Sequence, residues 1–242
     1  MHLKEIFTGS FKFLFREWKI FCIVLIFYTL IFVSTTFFPK ATSINSDPAS
    51  ITVNKAPYLL FYLVFWVSIT PLIIIRANAY FENQQAKQFK IKDIKTNAAA
   101  LIAYKTIFIL LGLLISVLIA LNYAPSIYLG TITVMEIFQF LLFLTPAVIV
   151  LENRKFFDSA KESISKIQAN FKESIIFYLI LALILSIFQF SGHIQMLSAA
   201  IIHEKIIIPG IEYLQLILDS GSFIFYNVAV IGFYLNFLRK NS

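Results

Sequence analysis

The sequence predicts an all-α membrane protein of six transmembrane helices, with amphipathic in-plane cytoplasmic helices before spans 1, 3 and 5. Three observations carry that prediction. Of 242 residues, 59% are hydrophobic and only 14% charged, against roughly a quarter charged in soluble domains, so the chain lacks the polar surface needed to coat a globule in water. The apolar residues gather into runs of about twenty, the length a helix needs to cross ~30 Å of hydrocarbon at ~1.5 Å per residue. The basic residues fall almost entirely between alternate pairs of these runs.

In chain order the expected spans are 20–38, 57–75, 101–124, 126–151, 175–190 and 213–238. A barrel also satisfies every backbone group in lipid, but its strands would be ~10 residues of alternating polarity. Runs such as Leu179-Ile180-Leu181-Ala182-Leu183-Ile184-Leu185 do not alternate. The first run is too long for a signal-peptide core and is followed by bulky Phe37-Phe38-Pro39, so it is expected to remain in the mature protein. No long polar linker interrupts the pattern, which predicts one polytopic domain over 1–242. The external segment from Lys40 to Ala56, rich in Ser, Thr, Asn and Ala, reads as an irregular crossing. The connection around Pro125 is short enough to force spans three and four into an antiparallel hairpin.

Seventeen Lys and Arg residues, Lys105 counted among them, lie before span 1, between spans 2 and 3, between spans 4 and 5, or after span 6. Only Lys40, Lys55 and Lys205 lie on the other side. The positive-inside rule then places both termini in the cytoplasm of a cell bounded by this plasma or inner membrane. A net charge of +7 distributed in this way reads as a topology signal with attraction for anionic headgroups at the cytoplasmic face, and it excludes a nucleic-acid site. Protein partners or a second copy of the chain remain open.

Three cytoplasmic segments carry helical apolar stripes. Phe7, Phe11, Leu14, Phe15 and Trp18 form one; Ile91, Ile94, Ala98, Leu101 and Ile102 a second; Ala160, Ile164, Ile167 and Phe171 a third. Each predicts a helix lying in the interface with its apolar side down. Glu162 and Lys166 are spaced for an i,i+4 pair. Ser10, Thr96 and Ser163 each stand eight residues before an aromatic residue followed by lysine (Trp18-Lys19, Tyr104-Lys105, Phe171-Lys172). That spacing has two readings: a threefold repeat of in-plane helix plus membrane hairpin, or the ordinary enrichment of aromatics and lysines at a membrane boundary.

Pro146 and Glu152, in Thr145-Pro-Ala-Val-Ile-Val-Leu-Glu152, are followed by Ser163, Asn170 and Phe171, in Ser163-Ile-Ser-Lys-Ile-Gln-Ala-Asn170-Phe171. Over these roughly 45 residues the chain resembles a prokaryotic group of six-span proteins that includes the membrane domain attached to some glycerophosphodiester phosphodiesterases. The resemblance implies six spans, a glutamate closing the fourth and an amphipathic helix leading into the fifth. It does not imply phosphodiesterase activity, which in fused members belongs to a separate soluble barrel. The group usually carries a small residue, often alanine, where this chain has Ser159, and a glycine where it has Asn153.

Within the spans two carboxylates stand out, because an ionised acid at bilayer depth costs several kcal/mol unless it faces a bundle interior or a hydrated cavity. Glu136 lies ~14 Å from the external boundary and Asp219 ~9 Å, both in the outer half. Gln139 is one turn from Glu136; Ser222 and Tyr226 follow Asp219 on its face, with Asn227 rotated slightly away. These six residues read either as an outward-facing pocket for a cation, a proton or a small polar solute, or as interhelical hydrogen-bonding groups that set packing. The packing reading is preferred, since no basic partner is evident within the spans.

His193 and His203 stand ten residues apart with Glu204 as the one evident third ligand, which reads either as a zinc site or, preferred, as solvated or interfacial histidines, and the connection 194–208 is unusually apolar. The single cysteine, Cys22, excludes an internal disulfide. No phosphate loop, nucleophile elbow or paired-histidine helix occurs. The expectation is a protein without catalytic residues, cofactor or metal: a membrane scaffold or lipid-related assembly module, the alternative being a transporter or the membrane subunit of one.

Overall fold

A computed structural model describes residues 3–37, 48–82, 91–120, 125–188 and 211–238. The elements are α1 (Leu3–Arg16), α2 (Trp18–Phe37), α3 (Pro48–Phe81), α4 (Ile91–Ala120), α5 (Pro125–Leu142), α6 (Thr145–Glu152), α7 (Phe156–Ala169), α8 (Phe171–Phe188) and α9 (Ile211–Phe233), the last continuing into a π-helical turn, Tyr234–Leu238. No strand occurs among the described residues.

Five stretches are long and apolar enough to cross a membrane: Leu60–Phe81, Asn97–Ile115, Leu129–Glu152, Phe171–Phe188 and Tyr213–Asn236. They coincide with five of the six expected runs. The first expected run falls in α2, a helix of 20 residues, which is not among these five. The segment Lys40–Ala56 is not irregular throughout, because α3 begins at Pro48. Proline suits a first helical turn, where its fixed φ fits and its missing N–H leaves no intrahelical bond unmade. Residues 40–47 lie outside the described residues.

The fourth apolar run is two helices. Pro146 cannot donate to the carbonyl four residues back, so the α-helical ladder is interrupted after Leu142 and resumes with Val148 N–H donating to Leu144 O at 3.1 Å. Ser163 on α7 donates its hydroxyl to the Leu141 carbonyl at 2.9 Å, supplying a donor beside the interruption. At the far end of α6, Asn153 adopts φ 54, ψ 43. This is the left-handed conformation that glycine takes most easily and asparagine tolerates best among other residues, so the tight turn forms without the glycine usual in the resembling group. Ser159 is completely buried, in keeping with a need for a small side chain.

The central element is α9, which packs against α1, α2, α3 and α8. Phe143, Phe177, Phe225 and Phe233 are fully buried; the Phe177 and Phe233 rings stack at 4.3 Å and 12°. Helix α1 contributes to this core, its Phe7 ring lying 5.5 Å from Phe177. Gly232 permits the approach, since a Cβ there would come within 2.8 Å of Phe81 Cζ and 2.9 Å of Ile6 Cγ2. The stripe expected on α1 is therefore divided. Ile6, Phe7, Ser10 and Phe13 face the bundle, while Phe15 and Trp18 are exposed. On α7 the buried face is Ser159, Ser163, Lys166 and Ile167, more polar than the predicted stripe.

The three segments that share the Ser/Thr-to-aromatic spacing differ in build. Single-residue breaks at Glu17 and Asn170 separate α1 from α2 and α7 from α8, whereas α4 runs unbroken from Ile91 to Ala120. Trp18 and Phe171 are exposed, whereas Tyr104 is buried.

Candidate functional site

Five of the six polar residues singled out within the spans line one cavity of about 440 Å³: Glu136 and Gln139 from α5, and Ser222, Tyr226 and Asn227 from α9. Asp219 does not line it. Its carboxylate accepts a hydrogen bond from Gln215 Nε2 one turn earlier on α9, at 2.5 Å. Helical phase does not exclude it, since Asp219, Ser222 and Tyr226 lie within about 60° of one another around the axis; Asp219 instead sits roughly 10 Å from Tyr226 along the axis, toward the N-terminal end of α9.

The cavity also holds a charge that the sequence reading assigned to the membrane boundary. Lys105 lines it together with Glu136, so a basic partner does exist within the spans. Lys105 is the fifteenth residue of α4 and lies inside the stretch Asn97–Ile115; four apolar or aromatic residues precede it and Ile107-Phe108-Ile109 follow soon after, which was the available signal. Its Nζ stands 5.0 Å from the Tyr62 ring and 5.1 Å from the Trp66 ring, a cation–π arrangement on the inner wall. Trp66 in turn stacks on Tyr104 at 5.7 Å, and Tyr104 meets Phe108 at 5.0 Å. Nothing in the spacing of these aromatics distinguishes them from the many others in a chain with 27 phenylalanines and 11 tyrosines.

Glu136 faces Tyr178 on α8, whose hydroxyl engages the carboxylate. No ion pair within 4.0 Å joins Glu136 or Lys105 to a partner among the described residues. Ser222 and Asn227 direct their donors to their own helix, Ser222 Oγ to Asp219 O at 2.9 Å and Asn227 Nδ2 to Phe223 O at 2.8 Å. The outward rim consists of Glu136 on α5 and Ala182 and Ser186 on α8, all exposed. The cavity thus presents a carboxylate at its rim, an ammonium against its inner wall, and aromatic faces between.

Of the residues that carry the resemblance, Pro146 lines this cavity, while Glu152 belongs to a second constellation where α6, α7 and the π-helical turn join. Glu152 accepts a hydrogen bond from the Tyr234 hydroxyl and pairs with Arg154 Nε at 2.8 Å. Arg154 reaches Glu162 at 3.3 Å, and Glu162 pairs with Lys166 at 3.0 Å, the expected i,i+4 pair. Lys166 Nζ lies 5.7 Å from the Tyr234 ring, closing the circuit. The Lys166 hydrogen bond, with charge from Arg154 and Lys166 adding to it, holds the Glu162 carboxyl below its ordinary range against the opposing effect of burial. Pro146 starts α6, and Ser163 bonds across to α5. Asn170 closes α7, its side-chain amide donating to Lys166 O at 3.2 Å, and the Phe171 ring packs edge-on against Phe140 at 6.1 Å.

No group of three His, Cys, Asp or Glu side chains able to hold a metal occurs among the described residues. His193, His203, Glu204 and the apolar connection 194–208 lie outside the described residues. Compared with known proteins, the chain matches no family model, no curated protein and no solved structure, so both constellations are interpreted from their own geometry.

Proposed function

We propose that this chain is a non-enzymatic, six-span protein of the cell membrane with both termini cytoplasmic, and that its role is lipid-related: it holds a polar or charged ligand in the cavity lined by α3, α4, α5, α8 and α9. The observation that carries this reading is the placement of Glu136 and Lys105 in one intramembrane cavity without an ion pair between them. Charges used only for packing are expected to neutralise each other, because an uncompensated charge at low dielectric is costly. The exposed rim on α5 and α8 supports entry from the bilayer side.

The sixth span is α2, whose 20 residues are long enough to cross. In this scheme α1 and α7 lie along the cytoplasmic surface, where Lys4, Lys12 and Arg16 border a second cavity beside Tyr80 and Phe81 suited to anionic headgroups. Membership of the six-span group is part of the same proposal. It is supported by the local roles of Pro146 at the start of α6, Ser163 bonded to α5, Asn170 at the end of α7 and Glu152 in the ionic network.

Two measurements test the reading. Reporter tags on the two ends should respond from the same, cytoplasmic compartment; opposite compartments would overturn the threading. Protein extracted in mild detergent should retain a co-purifying ligand that Ala182→Trp, which fills the rim, displaces. Identical ligand content in the two proteins would overturn the cavity's role. A second reading, transport, is favoured by the position of Glu136 and Gln139 in the outer half. It predicts solute or proton flux in reconstituted vesicles that Glu136→Gln abolishes, and the absence of such flux removes it.

A further inference from the structure

The cavity's charge pattern specifies more than polarity. Glu136 and Lys105 are opposite in sign, line one cavity open at its rim and have different neighbours: Glu136 on α5 meets Tyr178 of α8, and Lys105 lies over Tyr62 and Trp66. A simple cation satisfies Glu136 but is repelled by Lys105; a simple anion has the converse problem. A neutral solute leaves both charges uncompensated in a medium where each is expensive. One ligand class resolves both, a molecule carrying an ammonium group and an anionic group. The faces of Tyr62 and Trp66 hold the Lys105 ammonium at the inner wall, where it is available to the anionic group of such a ligand.

We propose that the cavity is a zwitterion site, in which Glu136 receives the ligand's ammonium at the rim and Lys105 receives its phosphate or carboxylate at the inner wall. The inference rests on the reading of this cavity as a binding site. Two sources supply that chemistry, the headgroup of a zwitterionic phospholipid and a small free zwitterion. The exposed rim on α5 and α8 admits either.

The test uses the full chain in detergent micelles, with binding followed by native mass spectrometry and by the thermal shift of the protein. Probes are phosphatidylethanolamine, glycerophosphoethanolamine as its soluble headgroup, and phosphatidylglycerol as an anion-only lipid. Phosphatidylethanolamine is expected to bind at least about tenfold more tightly than phosphatidylglycerol, a ratio equivalent to ~1.4 kcal/mol. Binding of glycerophosphoethanolamine at similar strength identifies a free solute as the source, and its failure to bind identifies the lipid. Glu136→Gln should erase or reverse the preference; Lys105→Gln should weaken both lipids, and Lys105→Arg should restore them.

Equal binding of the two lipids to the unsubstituted protein overturns the zwitterion assignment, and that comparison needs no variant to fold. If Ala182→Trp still displaces those lipids, the binding-site reading survives without the charge assignment. If no probe binds and Ala182→Trp leaves the co-purifying material unchanged, both fall.

Discussion

The junction around Glu152 and the cavity around Glu136 each place ionic groups beside apolar surface, yet they treat charge in opposite ways. At the junction Glu152, Arg154, Glu162 and Lys166 form a continuous chain of pairs, closed by Tyr234. In the cavity Glu136 and Lys105 share a space without meeting. The physical difference is one of completeness. A network whose members all have partners fixes geometry, and removing one member strands the others. A pair held apart by separate helices contributes little to fixing the fold and leaves two charges available to something else.

That contrast is most exposed to disproof at Lys166, whose side chain is only 8% accessible. Lys166→Ala should destabilise the protein by about 2 kcal/mol, the scale for losing a hydrogen bond between charged groups together with a buried aliphatic stem, measured by denaturant unfolding in micelles. A change no larger than that of an exposed-lysine control such as Lys161→Ala would show the network to be incidental. Next in size is the turn that positions Arg154. Asn153→Val should cost about 1–2 kcal/mol because a β-branched residue resists the left-handed conformation, while Asn153→Gly should be close to neutral. Equal effects would mean that the turn relaxes.

A smaller effect is expected from pH. The Glu162 carboxyl is held below its ordinary range in the folded protein. Its contribution is therefore present above the unfolded-state value and is lost as pH falls through the depressed folded one. Acidification below about pH 4 should lower the Tm, and Glu162→Gln should flatten that dependence. An unaltered profile would detach Glu162 from the network. The smallest effect belongs to the cavity: Glu136→Gln should change stability by less than about 0.5 kcal/mol, as for residues outside packed networks. A loss comparable to that of Lys166→Ala would return Glu136 to a packing role and weaken the case for a ligand.

The legible part of the candidate site was the α5 and α9 side of the cavity. Glu136, Gln139, Ser222, Tyr226 and Asn227 are recognisable because polar side chains are conspicuous in apolar runs. Lys105 was misplaced because a lysine near a span's cytoplasmic end has the same sequence signature whether it faces headgroups or a bundle interior. Asp219 shares the helix face of Ser222 and Tyr226 but does not line the cavity, because helical phase tells which residues share a face without telling how far along the axis a cavity extends. The division of the α1 stripe has the same origin. Phe7 and Phe15 are equally apolar, and only the seat beside Phe177 and Phe225 separates the buried ring from the exposed one.

What the sequence determined by itself is the solvent and the helical class: apolar runs of spanning length and the i,i+4 pair of Glu162 and Lys166. These are local properties, set by backbone satisfaction in lipid and by spacing along one helix. The division of the expected span 126–151 at Pro146 came with the structure. Tertiary structure decided which charges meet and which stay apart. Lys105 and Glu136 lie 31 positions apart on different helices, as do Glu152 and Tyr234 at a separation of 82. Their relation depends on how five or more helices pack, through long-range contacts that no single window of sequence encodes.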